Sequence, residues 1–158
     1  MIELPRTKRD WYIHRALTLL DTPYRWGGDD SLAGVDCSGL HILLGQEVGI
    51  LPAGFDTTAA GLYDMYLRDG RSIPAADWGM YYSKPGCLVF YSRSTAAKIH
   101  HVGIVVTCGL TVEAGGGGSK TQDRADAVSH NAYVRLWPID ARKNAVRFYV
   151  DPFLGSVS

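Results

Sequence analysis

Long apolar runs are missing from this chain, and so is any surplus of charge. The first twenty residues carry Glu3, Arg6, Lys8, Arg9, Asp10 and Arg15 where a leader would need an apolar core, so neither a signal peptide nor a transmembrane stretch is expected. Lys and Arg number 16, as do Asp and Glu, and no basic run is present. A polyanion would find nothing to hold, which excludes nucleic acid and membrane insertion from the expected partners. Cysteine is scarce as well: Cys37, Cys87 and Cys108 make an odd set with no C-x-x-C spacing. That argues against a disulfide framework and a structural zinc site, and no metal or organic cofactor is expected. Glycine is the exception at 18 residues, not arranged in a repeat, which points to turns and close backbone approaches. With 158 residues and 46% hydrophobic content, the chain suits one domain, residues 1–158 with a core over about 7–153.

The stretch from Tyr24 to Leu40, Y-R-W-G-G-D-D-S-L-A-G-V-D-C-S-G-L, organises the rest. Trp26, Gly27 and Gly28 read as a tight turn. From Cys37 the apolar positions Leu40, Leu43, Leu44 and Val48 recur at helical spacing, and Gly49 is a stop signal. The Cys37 sulfur is therefore expected in the first turn of a buried helix, where free N–H groups and the positive dipole end favour thiolate. Such a cysteine is a candidate nucleophile if a base stands opposite.

Around it, Thr7–Leu20 reads as a first helix with Trp11, Ala16, Leu17 and Leu20 along one side, ended by Pro23. Thr57 or Thr58 could cap another helix through Leu62, Met65, Tyr66 and Leu67, closed by Gly70. Arg71–Lys84 reads as irregular, either lining a groove or only connecting. Strand patterns then follow at Cys87–Tyr91, Val102–Thr107, Leu110–Glu113, Tyr133–Trp137 and Val146–Val150. Helices first and strands afterwards predict an α+β fold, N-terminal helices packed on a central antiparallel β-sheet. Gly115–Gly118 reads as a mobile loop at the sheet edge, and Gly155–Ser158 as a frayed end.

Five histidines could supply the base. His14 and His41 fall in predicted helices and His130 in a polar loop, so structural roles are expected for them. His100 and His101 open the strand H-H-V-G-I-V-V. Alternation puts His101 on one face with Gly103 and Val105, and Gly103 leaves room beside the imidazole, which favours His101 over His100. Glu113, after the Cys108–Gly109 turn, is the nearest group that could orient the ring. A two-residue turn would pair Thr107 with Leu110 and send Glu113 to the other face. A three-residue turn over Thr107–Gly109 would pair Val106 with Leu110 and Gly103 with Glu113, and that register is expected.

Four segments in order, T-P-Y-R-W-G-G at Thr22–Gly28, D-C-S-G-L at Asp36–Leu40, P-G-C-L-V-F-Y at Pro85–Tyr91 and H-V-G-I at His101–Ile104, resemble the NlpC family of bacterial cell-wall peptidases. The resemblance covers about Asp21–Glu113 and implies a papain-like, NlpC-type fold. It implies a cysteine endopeptidase that hydrolyses the D-γ-glutamyl–diamino acid bond of peptidoglycan stem peptides through an acyl-enzyme. Carried over by position, Cys37 is the nucleophile, His101 the general base and Glu113 the third polar residue, where the family often has histidine. Tyr24 would face the nucleophile, Asp36 and Ser38 would receive the free amino group of the stem peptide, and Trp26 would be a further substrate contact. The family usually has aspartate where Cys87 stands, so Cys87 is expected to be a buried thiol. Analogy with bare catalytic domains of this kind suggests a phage tail or lysis role with phage tail proteins as partners. The expected location is cytoplasmic in the producing cell or virion-associated, with action at the cell wall. Two rival readings are a non-catalytic virion or wall-binding module, for which a decayed site would be the signature, and an amidase, acyltransferase or deamidating toxin on the same fold.

Overall fold

The computed structural model describes residues 5–155. Its first helix, α1 (Lys8–Thr18), starts at a capping box: the Thr7 hydroxyl accepts from the Asp10 N–H, and the Asp10 carboxylate accepts from the Thr7 N–H. The buried face of α1 is carried by Tyr12 and Ala16, continued by Leu19 past its end. Trp11 and Leu17, expected on the apolar side, are about half exposed. The phase is set by Tyr12, whose hydroxyl has a partner inside, and Trp11 is left to the surface.

A glycine loop with a two-stranded ladder of β1 (Asp29–Asp30) and β2 (Gly34–Val35) leads into α2 (Cys37–Glu47). Asp36 caps α2, and Gly49 follows its end with φ +73. This helix is apolar on nearly every side, with Leu40, His41, Ile42, Leu44 and Gly45 buried, because α1, α3 (Ala59–Arg68) and the main sheet surround it. Burying each of Leu40, Ile42 and Leu44 contributes about 1.5–3 kcal/mol. Thr58 is the cap of α3, and Gly70 sits past its end at φ +68.

Residues 71–84, expected to be irregular, contain a 3-10 turn at Ala75–Asp77 and the short helix α4 (Trp78–Tyr81). Ile73, Trp78 and Tyr82 pack onto the sheet, and none of the described side chains of this segment lines the main cleft. The signal here was too short for periodicity. The half-buried Trp78 indole, donating to the Ile73 carbonyl, holds the turn in place.

The sheet is antiparallel, in the order β6–β5–β4–β3–β7, built from β3 (Leu88–Ser92), β4 (Ile99–Thr107), β5 (Leu110–Gly115), β6 (Tyr133–Pro138) and β7 (Val146–Val150). Before β6 lies an additional helix, α5 (Arg124–His130), capped by Asp123. Alternation splits the core in two. Leu88, Phe90, Val102, Ile104 and Val112 face the helices, while Val89, Tyr91, Val105 and Tyr149 face the 71–84 segment. The helices-on-antiparallel-sheet architecture is the α+β arrangement predicted.

Two local expectations change. The glycine run is not a sheet-edge loop: Gly115 pairs with Tyr133 on a strand with neighbours on both sides, and Gly117 lies against the Tyr24 ring. The β4–β5 turn pairs Thr107 with Leu110, not Val106 with Leu110, and a bulge between Val105 and Thr107 absorbs the extra residue. The ladder beyond it pairs Val105 with Thr111 and Ile104 with Val112. Glu113 therefore reaches Gly103, as the longer turn would have required. The expected fraying of Gly155–Ser158 falls at 156–158 outside the described residues.

Candidate active site

Three separate parts of the chain build the site: the start of α2, the start of β4 and the end of β5. Asp36 holds the first in place. Its Oδ1 accepts from the Gly39 N–H at 2.8 Å and the Ser38 hydroxyl at 3.0 Å, and its Oδ2 accepts from the Gly27 N–H at 2.9 Å. The glycine turn and the helix cap are thus one hydrogen-bonded unit. Gly39 is required there, since a Cβ would collide with the Gly28 carbonyl oxygen. This unit sets Cys37 at the first helical position, half-buried, in the wall of a cleft of about 690 Å³ that also includes Tyr24, Trp26, Asp36, Ser38 and His101.

His101 is paired across β3 with Tyr91, their ring centres 5.7 Å apart. Its Nε2–H donates to Glu113 Oε2 at 2.7 Å, and Cys37 is near enough to act on the charge of the ring. With Nε2 engaged by Glu113, Nδ1 is the nitrogen left for the sulfur. Burial on its own would lower the imidazole pKa. The hydrogen bonds and charges of Cys37 and Glu113 overcome it and raise His101 to about 9.

Glu113 is almost fully buried, 1% exposed, on an interior strand. Burial would raise its pKa, but the His101 hydrogen bond and charge, the Arg142 charge and the Thr111 hydroxyl draw it down to about 2. Its Oε1 accepts from Thr111 at 2.7 Å and Tyr91 at 3.2 Å, and its Oε2 also accepts from Arg142 Nη2 at 2.8 Å. Every lone pair of this carboxylate has a donor, as a buried charge requires. A fixed carboxylate behind an imidazole that shares the cleft wall with a half-buried sulfur orients that ring as a base for the thiol.

Tyr24 is buried, and its phenol pKa is raised by that burial and by the nearby Cys37 and Asp36 charges, so it remains an O–H donor facing the sulfur's side of the cleft. Trp26 stands at the rim, half exposed. Among the described residues, no group of three or more His, Cys, Asp or Glu side chains is arranged to hold a metal ion.

The NlpC/P60 family profile matches residues 21–137, most of the chain and all three parts of the site. The chain belongs to the NlpC/P60 family. Murein DD-endopeptidase MepH of Escherichia coli K12 is 28% identical to this NlpC/P60 protein over 110 residues, 70% of this chain and 37% of MepH. The chain thus spans well under half the length of that relative. The NlpC/P60 domain of peptidoglycan hydrolase SagA superimposes with a TM-score of 0.59 at 21% identity, covering 90% of this chain and 97% of that one. An NlpC/P60 family protein from Bacillus cereus ATCC 10987 gives 0.64 at 19% identity, over 92% of this chain and 41% of the other. These structures share the fold.

All seven residues singled out from sequence lie together in this NlpC/P60 protein: Cys37, His101, Tyr24, Trp26, Asp36 and Ser38 line the cleft, and Glu113 stands directly behind His101. The set-aside histidines lie elsewhere. His41 is enclosed by the Tyr12 and Tyr66 hydroxyls, His14 is exposed on α1, and His130 bonds the Thr121 hydroxyl. Sequence reasoning missed Tyr91, Thr111 and Arg142. Thr111 had a signal, being two residues from Glu113 on the same strand face. Arg142 had none, since it follows the 3-10 turn Ile139–Ala141 in a connection without periodicity.

Proposed function

We propose that this NlpC/P60 protein is a cysteine endopeptidase hydrolysing peptidoglycan stem peptides at the D-γ-glutamyl–diamino acid bond. The observation that carries this reading is that half-buried Cys37 and His101 share the wall of one open cleft, with buried Glu113 2.7 Å behind the imidazole. The Cys37 thiolate adds to the scissile carbonyl, forming the C–S bond and moving the π electrons onto oxygen. The Cys37 N–H at the start of α2 and the Tyr24 hydroxyl are the donors for that oxyanion. Collapse breaks the C–N bond as His101 gives its proton to the leaving amine. Water then attacks the thioester, His101 takes its proton, and the acid leaves with the thiolate–imidazolium pair restored. Glu113 holds the ring through Nε2 throughout. Asp36, with Ser38, receives the peptide's ammonium group, and Trp26 packs on the peptide at the rim. Action is at the cell wall.

The name of MepH raises the D,D cross-link as the competing bond. Digestion of purified muropeptides, read by mass spectrometry, separates the two, because each cut releases a different amine. Wild-type protein is expected to free the diamino acid's α-amine at the γ-glutamyl bond, whereas a cut at the D,D cross-link would free its side-chain amine. Cys37→Ala is expected to abolish turnover while retaining the fold by circular dichroism, and full activity of that variant would remove the mechanism.

A further inference from the structure

Arg142 is held at one end only. Its Nη2 lies 2.8 Å from Glu113 Oε2 and 2.8 Å from His101 Nε2, and its guanidinium carbon sits 5.2 Å over the Tyr91 ring centre. A guanidinium has five N–H donors; Nη2 donates one to Glu113, and its approach to His101 Nε2 is a contact only, because that nitrogen is itself donating to Glu113. The Nε and Nη1 donors make no hydrogen bond to the protein among the described residues. The side chain is a third exposed and lines the cleft, together with exposed Lys98 and His100. Burial and then the charges of His101, Arg142 and Arg93 all depress the His100 pKa, so these groups are close enough to act on one another. The acidic residues Asp36 and Asp56 line the same cleft, which therefore carries both signs of charge.

We propose that the open edge of Arg142 receives a substrate carboxylate, the free α-carboxylate of the D-γ-glutamyl residue. This rests on the peptidase reading of the same site. A γ-linked glutamate is joined through its side chain, so its α-carboxylate stays free a short carbon chain from the scissile carbonyl. That carbonyl must stand at Cys37 and His101, and Arg142 is the cation that touches His101. A planar guanidinium suits bidentate capture of a carboxylate, and the Glu113 bond with the Tyr91 ring fixes its plane in advance. Glu113 thus serves twice, orienting the imidazole and aiming the arginine.

The test is equilibrium binding to Cys37→Ala protein of an L-alanyl-D-γ-glutamyl-diamino acid peptide and of its α-carboxamide counterpart. The carboxylate form is expected to bind about tenfold or more tightly, as a charge-assisted pair would give. That preference is expected to vanish in Cys37→Ala/Arg142→Gln and to survive in part in Cys37→Ala/Arg142→Lys, with thermal melting reporting the fold of each. Equal binding of the two peptides, no binding of either, or a preference that persists in the Gln variant would overturn the site. A merely structural Arg142 would weaken both peptides alike and leave the ratio unchanged. Cleavage of muropeptides without the carboxylate preference would overturn the site and leave the peptidase reading standing. The preference without any cleavage would do the reverse.

Discussion

Gly103 and Glu113 share a space that only one side chain can fill. A Cβ on Gly103 would lie 2.6 Å from Glu113 Oε1 and 2.8 Å from its Cγ. Gly103→Ala is therefore expected to displace the carboxylate from His101. The expected cost is about 1–3 kcal/mol of stability, as for other overpacked cores, with a loss of turnover larger than the fold's destabilisation explains. Denaturant titration and kcat/KM on muropeptides check both, and an alanine variant as active and stable as wild type would refute the shared space.

Replacing Glu113 with glutamine removes the charge behind the imidazole while keeping its shape. His101 titrates at about 9 because Cys37 and Glu113 outweigh its burial. The imidazolium that protonates the leaving amine exists below that pKa, so activity should fall as pH rises through it. In Glu113→Gln the alkaline limb of kcat/KM is expected to move to lower pH, with a rate loss on the order of a hundredfold. An unmoved limb would mean that Glu113 does not stabilise the charge.

Buried Asp151 accepts from Arg9 Nη2 at 2.7 and 3.0 Å and from Lys84 at 2.8 Å, tying α1 to the segment after β7. Arg9→Met is expected to cost about 2 kcal/mol, less than the full loss of a buried pair because Lys84 remains. Chemical denaturation measures it, and a neutral result would make the tie ornamental.

His41 sets an acid limit on the fold. Its Nδ1 is 2.5 Å from the Tyr12 hydroxyl and its Nε2 is 2.8 Å from that of Tyr66, and burial lowers its pKa to about 3. The folded pKa lies below the unfolded 6.5, so this contribution is intact above pH 6.5 and is lost as pH falls toward 3. The slope is about 1.4 kcal/mol per pH unit. His101 acts in the other direction, contributing fully below its unfolded pKa and less as pH rises toward about 9. Comparing wild type with His41→Leu isolates the first effect: between pH 6.5 and 5, wild type should lose about 2 kcal/mol more than the variant.

Cys87 is fully buried, and burial pushes its thiol up to about 12, whereas Cys37 is half-buried and Cys108 exposed. A thiol reagent at neutral pH is expected to label Cys37 and Cys108 in native protein and to reach Cys87 only after unfolding. Peptide mapping of the labelled protein shows which sites reacted.

Much of this could be read before any coordinates. The Thr58 cap, the Gly49 and Gly70 stops and the strand runs are local signals, and local rules place them well. His101 and Glu113 were expected together through alternation and a three-residue turn; the turn pairs Thr107 with Leu110 instead, and a bulge between Val105 and Thr107 restores their approach. The other failures were non-local. The phase of α1 depended on a hydroxyl partner for Tyr12 across the core, not on which aromatic is most apolar. Helix α5 is polar with one buried residue, Ala127, so no stripe announced it. Arg142 owes its place to the packing of a connection, which no periodicity describes.

The Asp36 carboxylate has consequences for how specificity can change in such a cleft. It fastens the glycine turn to the helix that presents the sulfur, and on the proposed reading it also meets the incoming ammonium. Recognition and reactivity are then fused in one side chain, and altering it would blur KM and kcat together. Divergence toward other peptides would have to proceed through rim positions without scaffold duties, such as Trp26 and Lys98, while the floor of the cleft stays unchanged.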